Sequence, residues 1–202
     1  MTSMQNVYVV DDDEAVRDAI LELLSSVDIE AQGFSSANQF LEEYTPLMEG
    51  CLILDIRMSG VSGLELQQKL NELESILSII FVTGHGDVPM AVEAMKRGAI
   101  EFIQKPFRDQ ELLDCINVAL KNSEQAKIHR DQFELISARL AMLTERESDI
   151  LNRIVRGHAN KVIAIDLNLS QRTVENHRAH ILEKMQVRST TELITSVMSV
   201  KT

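Results

Sequence analysis

The sequence contains few cysteines and no long hydrophobic stretch. Its 202 residues include two cysteines, Cys51 and Cys115, whose spacing does not match a metal-binding motif. Both lie among apolar residues, which predicts buried, reduced thiols rather than disulfides. No apolar run approaches the ~20 residues of a membrane span. The first residues also lack the basic and apolar regions of a signal peptide, so we expect a cytoplasmic protein with no membrane partner.

Charge is divided unevenly along the chain. Residues 1–120 contain 7 Lys and Arg against 21 Asp and Glu, a net charge of −14, whereas residues 121–202 contain 13 against 10, a net charge of +3. An acidic half joined to a mildly basic half predicts two domains with different roles. The second half alone has a charge compatible with nucleic acid, although an excess of three is weak support by itself.

The first half alternates between short apolar runs and segments with helical spacing. The predicted strands are residues 7–11, 30–34, 51–56, 78–83 and 101–105. The predicted helices are residues 14–26, 36–45, 62–74 and 87–98, with a fifth that begins near Asp109. Central runs are apolar on both faces, as strands covered by helices must be. Five such units predict an α/β domain with one doubly wound parallel sheet.

A helical linker is predicted after this domain, because residues 120–132 contain neither Gly nor Pro. Apolar residues then recur at helical steps. They are Phe133, Ile136, Leu140 and Leu143. This stripe is compatible with a short coiled coil, but packing against the chain's own second domain is the favoured interpretation.

The remaining residues show no strand pattern. Thr144 and Glu147 form a T-x-x-E capping box that opens the first of four short predicted helices. The second half is therefore predicted to end in an all-α four-helix domain. The predicted divisions are residues 1–120, 121–142 and 143–202.

Polar residues end four of the predicted strands. Asp11 and Asp12 follow the apolar run VYVV, Asp55 follows LIL, Thr83 follows SIIFV and Lys105 follows EFIQ. The carboxyl ends of parallel strands line one crevice of an open sheet, where ligands bind. Three carboxylates, a hydroxyl and an ammonium at one rim suit a divalent cation and a phosphoryl group. The sequence thus predicts a site of phosphoryl transfer.

The expected cation is Mg²⁺ or Mn²⁺, because both prefer oxygen ligands. Asp12 and Asp55 would supply carboxylate oxygens and Arg57 a backbone carbonyl oxygen, while Asp11 would hold a bound water. A carboxylate can attack a phosphoryl donor and become an acyl phosphate. Lys105 would offset the charge that develops on the transferring group.

Four motifs make residues 5–120 resemble the receiver domain of bacterial two-component response regulators. They are VVDDDEAVR, LILDIRM, FVTGHGD and EFIQKPF, in that order. The resemblance implies a flavodoxin-like (βα)5 fold. It also implies that Asp55 is the phosphoacceptor, Thr83 the switch hydroxyl and Lys105 the phosphate-binding lysine, beside the acidic pair named above.

The same resemblance implies a rotating aromatic switch at Phe102 and a cis peptide bond before Pro106. One segment departs from the family. Its members usually have Pro after the methionine of the phosphoacceptor loop, where this chain has Ser59 and Gly60, which predicts a looser loop. His85, in the loop after the fourth strand, could influence hydrolysis of the acyl phosphate, although a solvated loop histidine is the favoured interpretation.

Residues 140–200 resemble the C-terminal domain of LuxR/NarL-type transcription regulators, and specifically the FixJ-like group. The motifs are LTxRE at 143–147, NKxIA at 160–164, LSxxTVxxH at 169–177 and KMxV at 184–187. They describe a helix, a tight turn and a second helix, the unit that places its second helix in the DNA major groove.

The resemblance implies which residues of that second helix read bases, and the positions of nearby polar residues suit phosphate contacts. The base-reading positions are Glu175, Asn176 and Ala179, and the expected phosphate contacts are Lys161, Arg172, Thr173 and Arg178. Many relatives have a basic residue where this chain has Glu175. A solvated glutamate beside a neighbouring arginine is an equally acceptable interpretation of that position.

Two histidines of the same helix, His177 and His180, do not predict a metal site, because the sequence supplies no third ligand. Packing or phosphate contact is the preferred interpretation. After residue 121 the sequence also shows no nucleophile–base pair, glycine-rich phosphate loop or metal triad, so an output enzyme is not expected.

The sequence therefore predicts a DNA-binding response regulator. The expected partners are a sensor histidine kinase, promoter DNA, RNA polymerase and, on phosphorylation, a second copy of the chain. The candidate dimer surface comprises Val88, Met90, Val92, Phe102 and Leu113. The alternative is an interaction protein whose helical domain docks another protein, which the acidic total charge and Glu175 would suit.

Overall fold

The structure is a computed structural model that describes residues 6–84 and 88–200. His85, for which a solvated loop position is the favoured prediction, lies outside the described residues. The chain divides into two units, Met1–Lys127 and Ile128–Thr202. In the described part of the chain, no helix is both long enough and apolar enough to cross a membrane.

The first unit is built on a parallel sheet in the strand order β2-β1-β3-β4-β5. Its strands are β1 Val7–Val10, β2 Ala31–Phe34, β3 Cys51–Leu54, β4 Ser78–Thr83 and β5 Glu101–Gln104. Its helices are α1 Glu14–Ser26, α2 Ala37–Glu43, α3 Gly63–Glu72, α4 Val88–Lys96 and α5 Asp109–Ala141, which continues into the second unit. The predicted flavodoxin-like architecture is confirmed.

The sheet is covered on both faces, as the continuous apolar runs require. Side chains alternate along each strand, so β1, β3 and β4 each contribute to two separate hydrophobic cores. One core contains Phe34, Phe40 and Phe81, whereas the other contains Ile53 and Ile80. The two cores fix the register of the central strands and hence the positions at which those strands end.

The strands stop at or just before the polar residues that follow them. Val10 pairs with Leu54, and Leu54 with Phe81, so β1 and β3 end side by side. The Asp13 side chain then accepts a hydrogen bond from the backbone N–H of Ala15 and caps α1. Four of the five polar residues at the carboxyl ends therefore belong to loops, and only Thr83 lies within a strand.

Gly63 marks a close approach of backbone in the loop between β3 and α3. Its N–H donates to the Ile56 carbonyl at 2.9 Å, and a Cβ at this position would overlap the Asp55 carbonyl oxygen. Ser62 and Glu65 form a reciprocal capping box at the start of α3. The loop that carries Asp55 is thus tied directly to the first turn of α3.

The second unit is entirely helical within its described residues. After the end of α5 come α6 Glu145–Val155, α7 Asn160–Asp166, α8 Gln171–Met185 and α9 Thr190–Ser199. Ile136, Leu140 and Leu143 pack against the core of this unit, whereas Phe133 is half exposed. The apolar stripe therefore mainly covers the chain's own helical core, as the favoured interpretation predicted.

Glu147 ties three segments of this unit together. Its carboxylate accepts hydrogen bonds from the Thr144 amide and hydroxyl in the predicted capping box. The Lys184 ammonium of α8 lies 2.7 Å from the same carboxylate. Burial raises the pKa of Glu147, but the Lys184 ammonium and the two Thr144 donors outweigh burial and lower it to about 2.

We predict that Gly63→Ala lowers the free energy of unfolding of the first unit by roughly 1–3 kcal/mol, because the added methyl overlaps backbone. Gly84→Ala is the matched control, since its Cβ would meet open space and its φ is outside the left-handed region. Thermal unfolding followed by tyrosine fluorescence would report on this unit, which contains both tyrosines. Equal melting temperatures of Gly63→Ala and Gly84→Ala would contradict the predicted overlap at Gly63.

We predict that Glu147→Gln lowers the free energy of unfolding of the helical unit by roughly 1–3 kcal/mol at neutral pH, because Lys184 loses its charged partner. The ionised carboxylate stabilises the folded state above its ordinary pKa of 4.5, and this contribution disappears as the pH falls towards 2. The difference between wild type and variant should therefore narrow below pH 4.5.

Scanning calorimetry between neutral and acidic pH would measure that difference. Glu145→Gln serves as the control, because Glu145 is exposed in the same first turn of α6. A change of only a few tenths of a kcal/mol is expected for it. A gap between wild type and Glu147→Gln that stayed constant down to pH 3 would contradict the ion-pair argument.

Candidate functional site

Three carboxylates converge at the carboxyl edge of the sheet. Oxygen atoms of Asp11, Asp12 and Asp55 all lie within 4.8 Å of one another. Asp11 is 2% exposed and Asp55 8% exposed, whereas Asp12 faces solvent. The structure thus brings together the acidic residues that the sequence predicts, with two of them removed from water.

Lys105 supplies positive charge to this cluster. Its ammonium lies 2.6 Å from Asp11 Oδ2 and 4.0 Å from Asp55 Oδ2. Its backbone N–H donates to the Thr83 carbonyl at 2.9 Å, which fixes the loop after β5 against the end of β4. The bond between Lys105 and Pro106 is cis, as the resemblance implied.

The cluster remains short of positive charge even with this lysine. Burial raises the pKa of Asp11, although hydrogen bonds from Lys105 and the Asp13 amide act in the opposite direction. The Asp55 charge raises it as well. Three carboxylates facing one ammonium form an oxygen-rich cluster with net negative charge, which could hold a small divalent cation.

Asp55 presents its two oxygens to different partners. Oδ1 accepts a hydrogen bond from the Ile56 amide at 2.8 Å, whereas Oδ2 is the oxygen closer to Lys105. The Asp55 amide donates to the Val10 carbonyl at 2.9 Å, so the residue is anchored to β1. Arg57 follows in the same loop with an exposed side chain. This geometry leaves Oδ2 as the oxygen available for chemistry.

A contact that the sequence did not indicate links the Asp55 loop to the acidic pair. The backbone N–H of Ser59 donates to Asp12 Oδ2 at 2.9 Å. Proline has no N–H, so the residue usual at this place in the family could not make this bond. The loop that the sequence predicts to be looser therefore has a hydrogen bond of its own.

Thr83 and Phe102 lie on adjacent strands near the cluster. Thr83 is buried at the end of β4, and Phe102 pairs in register with Phe81 two residues earlier on that strand. The Phe102 ring is half buried and packs against the edge of one hydrophobic core. Hydroxyl and ring are thus close neighbours in the sheet, as a coupled switch would need.

In the second unit, α7 and α8 form a helix-turn-helix. Asn168 adopts φ +53° in the turn, and the Leu169 amide donates to the Ala164 carbonyl at 2.8 Å. Ser170 then caps α8. The buried face of α8 consists of Val174, Ile181 and Met185, as the sequence predicts.

Some of the predicted DNA-contact residues have exposed side chains, whereas others are hydrogen-bonded within the helical unit. The exposed ones are Lys161, Arg172, Glu175, Asn176 and Ala179. Arg178, however, is half buried and donates to Asn160 Oδ1 at 3.0 Å and to Thr190 Oγ1 at 2.8 Å. The Thr173 hydroxyl is likewise 2.8 Å from the Ser170 hydroxyl. Both side chains have structural partners that sequence spacing alone did not indicate.

Two family models match the chain. The model described as "Response regulator receiver domain" matches residues 7–117, and the one described as "Bacterial regulatory proteins, luxR family" matches residues 141–197. Together they cover both units found in the structure. The order of the two matches is the order that the sequence motifs predict.

Similar proteins include the response regulator protein TmoT of Ectopseudomonas mendocina, which is 45% identical over 93% of this chain and 86% of its own length. The transcriptional regulatory protein FixJ of Azorhizobium caulinodans is 43% identical over 93% of this chain and 89% of its own. The solved structure of the response regulator StyR is 42% identical, with a TM-score of 0.85 and coverage of 97% of this chain and 99% of that one. This chain therefore belongs to the two-component response regulators that join a receiver domain to a LuxR-type DNA-binding domain, which are transcription regulators rather than classical enzymes.

Proposed function

We propose that a partner histidine kinase phosphorylates Asp55 and that the phosphorylated chain binds promoter DNA as a dimer to regulate transcription. The observation that carries this proposal is the position of Asp55 Oδ2, which lies 4.0 Å from the Lys105 ammonium and inside the three-carboxylate cluster. We further propose the division into a receiver at 1–120, a helical linker at 121–142 and a DNA-binding domain at 143–202.

The chemistry proposed for Asp55 follows from its two oxygens. Oδ1 is held by the Ile56 amide, so Oδ2 attacks the phosphorus of a phosphohistidine. The new O–P bond forms as the N–P bond breaks, and the released imidazole keeps the electron pair and takes up a proton. Lys105 neutralises charge on the transferring group, and Thr83 donates a hydrogen bond to the resulting acyl phosphate.

The cation proposed for this site is Mg²⁺ or Mn²⁺, held by Asp11, Asp12, Asp55 and the backbone carbonyl of Arg57. When bound, it supplies positive charge that the cluster lacks and offsets charge on the phosphoryl oxygens. The raised pKa of Asp11 supports this assignment, because that shift arises first from burial of a carboxylate without full compensation.

We propose that the signal leaves the site through Thr83 and Phe102 to a dimer surface on α4, β5 and α5. Val88 and Val92 are 76% and 45% exposed and lie four residues apart on α4, on the same face. The other members of the surface are half buried, namely Met90, Phe102 and Leu113. Exposed valines on α4 and a half-buried ring on β5 suit an interface that forms when the ring turns inward.

For DNA, we propose that α8 enters the major groove, where Glu175, Asn176 and Ala179 face base edges. Lys161 and Arg172 have exposed side chains suited to phosphates. We propose that Thr173 and Arg178 contact phosphate from positions fixed by their partners within the unit. The promoter-bound dimer would then act on RNA polymerase.

We predict that Asp55→Asn abolishes phosphorylation by acetyl phosphate, because an amide cannot form the acyl phosphate. Phosphate-affinity electrophoresis would measure the modified fraction. Binding is measured with a DNA fragment selected in vitro with the wild-type protein. The donor should raise the affinity of the wild-type protein for this fragment at least about fivefold and leave that of Asp55→Asn unchanged. Without the donor, wild type and Asp55→Asn should bind the fragment with equal affinity.

Asp13→Asn is the matched control for this experiment. Asp13 neighbours the cluster but caps α1, and asparagine caps equally well. This variant should still be phosphorylated. The proposal fails if Asp55→Asn responds to the donor as wild type does.

We predict that Arg172→Ala weakens binding to all DNA sequences alike and reduces the slope of log affinity against log salt by about one, because one phosphate contact is lost. Asn176→Ala should instead reduce the difference in binding free energy between the preferred base and other bases at one position by roughly 1–3 kcal/mol. Fluorescence anisotropy across salt concentrations, with matched operator variants, would separate the two effects.

Arg156→Ala is the control for the salt series, because Arg156 is exposed in the same unit but has no assigned contact with DNA. Affinity for DNA that did not depend on salt would favour the alternative of a protein-docking domain over DNA binding.

A further inference from the structure

The structure supplies the third ligand that the two histidines of α8 lack in the sequence. His177 and His180 lie one helical turn apart on α8. Glu147 of α6 faces them, and one ligand atom of each of the three residues lies within 4.8 Å of the other two. The cluster is formed by α6 and α8 within one unit, and it is separate from the carboxylates at the sheet edge.

Each of the three side chains has an atom available as a metal ligand. The hydrogen bonds that Glu147 accepts from Thr144 and Lys184 all fall on Oε2. Within residues 6–84 and 88–200, Oε1 takes part in no hydrogen bond, and neither do the imidazoles of His177 and His180. His180 is exposed and His177 half buried, so an ion can reach them from solvent.

We propose that Glu147, His177 and His180 form a binding site for Zn²⁺. Two imidazole nitrogens and one carboxylate oxygen are a common zinc ligand set, with water in the fourth position. Zn–N and Zn–O bonds of about 2.0–2.2 Å place tetrahedral ligands about 3.4 Å apart. The ligand atoms now lie within 4.8 Å of one another, and rotation of the two imidazoles is the movement that would bring them closer to an ion.

The donor set also decides which metal binds here. Mg²⁺ prefers oxygen ligands, whereas imidazole nitrogen favours Zn²⁺ and its neighbours. The site is therefore distinct in chemistry from the cluster around Asp55. A bound ion would link α6 to the DNA-recognition helix α8 and stabilise the helical unit in proportion to its occupancy.

The positive charge of Lys184 should weaken binding of the ion. Its ammonium lies 2.7 Å from Oε2 of the carboxylate that would hold the metal through Oε1. Two positive charges on one carboxylate repel each other, so removal of the lysine charge should strengthen the site. This opposition distinguishes a site at Glu147 from metal binding by exposed histidines alone.

The test is calorimetric titration of the full chain with ZnCl₂ in excess Mg²⁺, which is added to fill the cluster around Asp55 that we propose as the Mg²⁺ site. We expect one Zn²⁺ per chain and an affinity at least about tenfold weaker in His180→Asn, because one of three ligands is lost. His129→Asn is the matched control, since His129 is exposed on α5 outside the cluster. Equal affinities in wild type and His180→Asn would overturn the proposal.

Lys184→Gln provides a variant whose expected effect is a gain. It should bind Zn²⁺ about two- to fivefold more tightly than wild type, which corresponds to the usual strength of a partly exposed ion pair. A loss of fold would not produce tighter binding at the same stoichiometry. Unchanged or weaker binding would place the ion away from Glu147 and overturn the site as assigned.

Spectra with Co²⁺ in place of Zn²⁺ identify the ligand atoms. We expect visible bands typical of nitrogen and oxygen ligands without intense thiolate-to-cobalt absorption, and the same spectrum in Cys115→Ser. Thiolate absorption that disappears in Cys115→Ser would assign the bound ion to cysteine and overturn the proposal.

Discussion

Lys105 holds together a site that repulsion between carboxylates would otherwise open. Its ammonium contacts Asp11 at 2.6 Å and faces Asp55 at 4.0 Å, in a crevice where both carboxylates are nearly inaccessible to water. Because burial nevertheless raises the pKa of Asp11, the lysine compensates only part of the negative charge. The receiver unit therefore carries an excess of negative charge at this edge of the sheet. That excess attracts a cation, which would in turn offset the negative charge of a phosphoryl group.

Glu147 in the helical unit presents the opposite electrostatic case. It is as deeply buried as Asp55, but a lysine and two Thr144 donors converge on one of its oxygens and lower its pKa to about 2. These partners keep the carboxylate charged in the folded unit, and because all of them bind Oε2, they leave Oε1 for the ion proposed above. The chain thus uses buried acids in two ways, one left partly uncompensated at the sheet edge and one held ionised by its partners between helices.

Much of this architecture was predictable because it depends on local sequence. Apolar runs fixed which residues enter the sheet, and residues such as Asp55 and Thr83 could be placed at one rim from strand ends alone. Contacts between helices were not predictable in that way. The bonds of Arg178 to Asn160 and Thr190 join three helices, and their formation depends on rotations about helix axes that spacing does not specify.

A hydrogen bond from the Ser59 amide supplies order to the loop that carries Asp55, where the family usually has a proline. A proline restricts the backbone in the unfolded chain as well as in the folded one, so part of its benefit is lower entropy of the unfolded state. The hydrogen bond from Ser59 to Asp12 exists only when β1 and β3 have already come together. In this protein the loop is consequently ordered by cooperative folding, and its rigidity is a property of the assembled sheet rather than of the local sequence.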